Sequence, residues 1–182
     1  YDMSLFTATL VTAGILMLLG VLLIWDSPQV QNTARGWPRS RRAAIILMGI
    51  GGAWFLYHVW HLKPADFGDY KLHLFIGFLA VGILSFFHLP DFLAVRGLGI
   101  VLLLSARELL AAAYMQEPQS RLLLVSFVYV VIVLTLYVGA SPYRMRDFNN
   151  WLFESGNRPR VLGGFLGGYG LLLAGVAFNY PS

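Results

Sequence analysis

Charge in this chain is almost confined to the gaps between long apolar runs. Between Asp2 and Asp26 lie 23 uncharged residues, MSLFTATLVTAGILMLLGVLLIW. Counting that stretch, six long apolar runs occur, over about 3-25, 43-62, 72-90, 97-116, 122-143 and 161-180, all but the fourth free of charge. A transmembrane helix needs about 20 consecutive, mostly apolar residues. Hydrocarbon offers N–H and C=O groups no outside partner, so a chain of such runs must fold as helices or as a closed barrel. The runs do not alternate polar and apolar residues, as barrel strands do. The pattern predicts an all-α polytopic membrane protein. It is a bundle of six transmembrane helices in a single integral membrane domain, 1-182. Composition agrees. Only 12% of the 182 residues are charged, against about 25% in a soluble domain.

The first run is too long for the apolar core of a signal peptide. It has no basic start, and no small-x-small cleavage site follows it. It is expected to be the first span, anchored at the interface by Trp25. A start at Tyr1 rather than at Met leads us to expect an unseen or removed leader. Asp26 to Arg42, DSPQVQNTARGWPRSRR, is a polar connection in which Pro28 and Pro38 are read as opposing a continued helix. Arg144 to Arg160, RMRDFNNWLFESGNRPR, is the second long connection. Phe148, Trp151, Leu152 and the arginine stems suit a short helix lying in the headgroup layer. Gly49, Gly51 and Gly52 on the second run, and Gly164, Gly167 and Gly168 on the sixth, are expected to permit close helix packing.

Basic residues are distributed unevenly. The first, third and fifth connections hold nine arginines: Arg35, Arg39, Arg41, Arg42, Arg96, Arg144, Arg146, Arg158 and Arg160. The second and fourth hold only Lys63, Lys71 and Arg121. The positive-inside rule places the odd connections in the cytoplasm and both termini outside. A bacterial cytoplasmic (inner) membrane is the expected location. In an organelle, outside means away from the compartment of insertion. The net charge of +4 is dispersed between apolar runs, so it fits topology signals and anionic-lipid contacts better than nucleic acid. Pro28, Pro90 and Pro142 each follow an apolar run and precede a basic turn, so the chain reads as three helical hairpins of about sixty residues. Any six-span protein with short outer loops gives the same outline.

Three of the four histidines cluster at one joint. His58 and His61 are three apart on the second run, and His73 opens the third, with Asp66 and Asp69 between them. Imidazole and carboxylate together suit a transition metal, and one histidine from each helix suits haem iron. The competing reading is an interfacial belt, since His, Tyr and Trp gather where membrane meets water. His88, beside Pro90, is read as interfacial. Arg107 and Glu108 interrupt the fourth run. Arg107 lies about 16 Å along that run at 1.5 Å per residue, near mid-bilayer. An arginine there must face protein or water. Glu108 points about 100° away around the helix, so the two need not pair. They are a polar lock within the bundle or against a partner, or a proton, ion or substrate relay.

No P-loop, Gly-x-Ser-x-Gly elbow or His-Glu-x-x-His zinc helix occurs. Ser85, Ser105 and Ser126 stand in no persuasive context for intramembrane proteolysis. The absence of cysteine excludes disulfides and thiolate metal sites. Four histidines on six spans resemble the layout of cytochrome b561-like proteins, where histidine pairs on adjacent spans hold two haems. Here three histidines crowd one face, which leaves a second haem without an axial pair. The first expectation is a non-catalytic membrane subunit that packs and anchors within a larger complex, among lipids and other membrane subunits. A haem- or metal-binding redox protein and a small transporter are the alternatives.

Overall fold

The computed structural model describes residues 3–180. Tyr1, where a removed leader is expected, lies outside the described residues. Among those described the protein is all α, with no strand. Eight α-helices follow one another: α1 (Leu5–Trp25), α2 (Pro28–Gly36), α3 (Arg41–Trp60), α4 (Lys71–His88), α5 (Leu93–Ala113), α6 (Arg121–Ala140), α7 (Tyr143–Leu152) and α8 (Asn157–Phe178). Five described helices are long and apolar enough to cross a membrane: α1, α3, α4 with the turn before it, α6 and α8. The fourth expected span falls in α5. This helix starts at Leu93 and so takes in Arg96 as well as Arg107 and Glu108. Three charges set it apart from the others.

Local chemistry explains the helix ends. Ser4 caps α1 by accepting from the Thr7 amide at 3.2 Å, and Ser40 caps α3 by accepting from Ala43 at 3.3 Å. Capping by Ser40 brings Arg41 and Arg42 inside α3, so this helix begins before its uncharged run does. The connection after α1 is not the irregular loop expected from its prolines. Pro28 opens the nine-residue α2, and Pro38 sits in a short 3-10 turn, Trp37–Arg39. Proline lacks an N–H that a first helical turn would leave unbonded anyway, so it starts a helix as readily as it stops one. The expected short helix in the second polar connection is present as α7.

Two compact units divide the chain. The first comprises residues 3–35, 105–134 and 147–180. Its main contact is α1 against α8, made through small residues. A Cβ added to Gly20 would lie 2.7 Å from the Gly163 carbonyl oxygen, and one added to Gly170 would lie 2.9 Å from that of Ala13. Backbone therefore meets backbone, as in small-residue helix pairs of membranes. Of the glycines singled out on the sixth run, Gly167 faces this contact while Gly164 and Gly168 face open space. The contact lies instead on Gly163, Gly167 and Gly170, spaced four and three apart on one face of α8. Around it pack Leu16, Leu124, Val128 and Leu173. Thr9 and Thr12, both buried, donate their hydroxyls to the carbonyls of Leu5 and Ala8 at 2.8 Å. The polar connections join here too. Arg35 donates to the Phe153 carbonyl at 2.9 Å and buried Asn149 to that of Ala34 at 2.6 Å.

The second unit comprises Gly36–Leu104 and Thr135–Arg146. An added Cβ at Gly97 would come within 2.8 Å of the Met48 amide nitrogen, and one at Gly51 within 3.1 Å of the Ile100 side chain. Gly51 is thus the packed member of its glycine trio. Gly49 and Gly52 face open space. Ala44, Leu93 and Ala94 form a small core with Trp37, Leu47, Met48 and Phe86. Helix α4 meets α3 through edge-to-face rings, Phe55 with Phe78 at 4.9 Å and Trp60 with Phe75 at 5.6 Å. It buries none of its own residues. A helix apolar all round and buried nowhere is stable only where lipid or another protein covers it.

Candidate functional site

The histidine joint is open. His58 and His61 turn Nδ1 towards the carbonyls one turn back, Trp54 at 3.0 Å and Tyr57 at 2.8 Å. A carbonyl only accepts, so in each of these contacts it is the ring Nδ1–H that donates. His61 is exposed and stacks on Tyr57 at 4.2 Å. The turn beyond holds Asp66 and Asp69 in successive 3-10 turns, Pro64–Asp66 and Gly68–Tyr70, both side chains exposed. His73 lines a shallow pocket with Phe67, Tyr70 and Leu74. Among the described residues no three His, Asp or Glu side chains are grouped as ligands for an ion. The structure thus brings His58 and His61 to one helix end and gathers neither aspartate nor His73 into a shell with them. What surrounds each ring is aromatic: Trp54, Tyr57 and Tyr70.

Arg107 and Glu108 do meet. Their side chains approach to 3.9 Å although they are neighbours in sequence. Both are long enough to close the 100° between them. The Arg107 side chain remains 63% exposed and that of Glu108 38%. Because α5 begins at Leu93, Arg107 stands about 9 Å from the end of the helix at 1.5 Å per residue. That is nearer the end than the bounds of the fourth apolar run implied. Helix side chains lean towards the N-terminus, so this guanidinium leans back towards the helix middle.

A third cluster lies in the second unit and was not apparent from sequence. Helix α4 ends at His88, and Pro90-Asp91 prevents its continuation. Phe92 then takes a left-handed backbone, φ 57°, at a cost of about 1–2 kcal/mol for a residue with a Cβ. This sharp turn launches α5 and buries the Phe92 ring, 9% exposed. Two guanidiniums stand over that ring, Arg39 at 4.8 Å from its centre and Arg146 at 5.9 Å. Arg96, one turn into α5, lines a pocket of about 380 Å³ with His88, Asp91, Phe92, Pro142 and Tyr143. Its Nη1 is cut off from solvent and has no hydrogen-bond partner. Leaving such a group unpaired costs about 1–3 kcal/mol or more when charged. Arg144, by contrast, is occupied, donating to the Tyr137 hydroxyl and standing 4.6 Å over its ring. The arginines were legible as topology signals. Their convergence was not, because Arg39, Arg96 and Arg146 come from three separate connections.

Comparison of the chain with family models, with curated proteins and with solved structures finds no match.

Proposed function

We propose that this protein is a non-catalytic subunit of a larger membrane complex, six spans threaded with both termini outside and the arginine-rich connections in the cytoplasm. In this reading α5 is the fourth span. The carrying observation is Arg107, 63% exposed on a helix that, Glu108 apart, is apolar towards its outer end. A charge facing lipid inside the hydrocarbon is costly, rising to about 2.5 kcal/mol or more at the helix centre. The contact with Glu108 at 3.9 Å offsets little of this while both side chains are open. A neighbouring subunit that presents a polar or acidic group to Arg107 removes the cost. The open glycines Gly49, Gly52, Gly164 and Gly168 and the unburied surface of α4 leave further area for helix packing. A bacterial cytoplasmic membrane fits the charge asymmetry.

Native mass spectrometry of the gently extracted protein tests this reading. The expected result is a mass well above the chain's 20.3 kDa, with other polypeptides released on activation. Arg107→Leu is expected to abolish that association while the chain still inserts. A lone chain, or normal assembly of Arg107→Leu with a specific loss of transport, overturns the proposal in favour of a transporter. A lone chain carrying haem or metal mass overturns it in favour of the histidine joint.

A further inference from the structure

We propose that the outer end of α5 is a contact between two copies of this chain, in which Arg107 of each copy pairs with Glu108 of the other. The inference rests on the subunit reading, in which α5 crosses the membrane and Arg107 needs a neighbour, and it names that neighbour. Within one chain the pair is incomplete. Arg107 and Glu108 approach only to 3.9 Å, beyond hydrogen-bond length, and their side chains stay 63% and 38% exposed. Glu108 has a further interaction in its own chain. A carboxylate offers about four acceptor positions, so this leaves room for a second guanidinium on its open side. The placement of the two charges suits a copy better than an unlike partner. Successive residues stand about 100° apart around a helix and about 1.5 Å apart along it, so cation and anion lie side by side at one depth. Two copies in one membrane run in the same direction, and the twofold axis relating such a pair lies along the membrane normal. When two such helices meet along the line between the residues, rotation about that axis sets Arg107 of each opposite Glu108 of the other. Each copy then supplies what the other needs, and no charge is left over. An unlike partner with one acid would serve Arg107 alone. The same line is open to a second helix. Ala111 lies about 40° around the helix from Arg107 on the Glu108 side, so it points between them. It is exposed and carries only a methyl group, which lets a second backbone come close. Tyr114, 68% exposed, borders the line one turn further out.

The test is disulfide cross-linking of the full chain in its own membrane, which is simple because the chain has no cysteine. Ala111→Cys is expected to join two copies on oxidation. The control, Val133→Cys, 65% exposed on α6, should not. Adding Arg107→Glu or Glu108→Arg to Ala111→Cys sets like charges opposite each other and is expected to lower the cross-linked fraction at least about tenfold. The two altered chains expressed together should recover it, because a copy with two acids then meets a copy with two bases. No pairing inside either chain yields that recovery. The proposal is overturned by no cross-link at Ala111→Cys, by one as strong at Val133→Cys, or by one indifferent to both charge changes. Two inserted variants that do not recover together overturn it as well. Where a charge reversal blocks insertion, neutral Glu108→Gln replaces it, and an unchanged cross-link there has the same consequence. Native mass spectrometry separates this from the subunit reading. Other polypeptides bound to a single copy keep that reading and overturn this one, and two copies with no other polypeptide do the reverse.

Discussion

Single residues in this chain divide by whether they meet backbone or open space, and glycine shows it most clearly. A methyl group at Gly20 meets backbone atoms of Gly163 and Gly167 within 2.9 Å, whereas one at Gly164 meets nothing. Gly20→Ala must push α1 and α8 apart, and overpacking of this kind costs about 1–3 kcal/mol. Gly164→Ala should be neutral or stabilising by up to about 1 kcal/mol, from helix propensity alone. Thermal unfolding in detergent compares the two, and similar midpoints for both variants would disprove the α1–α8 contact. Sequence marked the sixth run as a packing helix and named Gly164, Gly167 and Gly168, of which only Gly167 faces the contact. Which side of that run meets a neighbour is set by the rotation of α8, and no local signal encodes it. The pairing of Arg107 with Glu108 was missed for a related reason. The angle between adjacent Cβ atoms was a sound guide to direction and a poor one to reach.

At the level of elements, the polar connections carry more structure than their composition promised. Helices α2 and α7 are tied by Asn149, which is 4% exposed and donates to the Ala34 carbonyl at 2.6 Å. Asn149→Ala removes the donor and leaves a half-buried acceptor unpaired, so a loss of about 1 kcal/mol is expected. Hydrogen exchange would report it as faster exchange confined first to α2 and α7. Uniform acceleration across all helices would contradict a local tie. The short helix α7 was legible, because Phe148, Trp151 and Leu152 recur at helical spacing. Helix α2 was not, because Pro28 reads equally as a stop and as a first turn. The stop at Pro90-Asp91 was also legible. The left-handed Phe92 beyond it was not, since a residue with a Cβ takes that conformation only when surrounding packing holds it there.

The number of crossings is a property of the whole molecule. The chain has no cysteine, so single introduced thiols report their side of the membrane directly. With six spans, Asp66→Cys and Gln119→Cys should react with an impermeant maleimide from outside, and Asn150→Cys only after permeabilisation. If α5 does not cross, Gln119→Cys and Asn150→Cys exchange sides while Asp66→Cys stays accessible. That outcome would reduce the spans to the five helices that satisfy length and apolarity. Sequence by itself determined the helical class, the positions of the apolar runs to within a few residues and the asymmetry of positive charge. These follow from local composition and from the need of each backbone to bond within its own segment. Tertiary structure alone decided which glycines touch, that Arg107 stays exposed beside Glu108, and that Arg39, Arg96 and Arg146 converge at Phe92. Those features join residues tens of positions apart, and only the packed orientation of whole helices sets such distances.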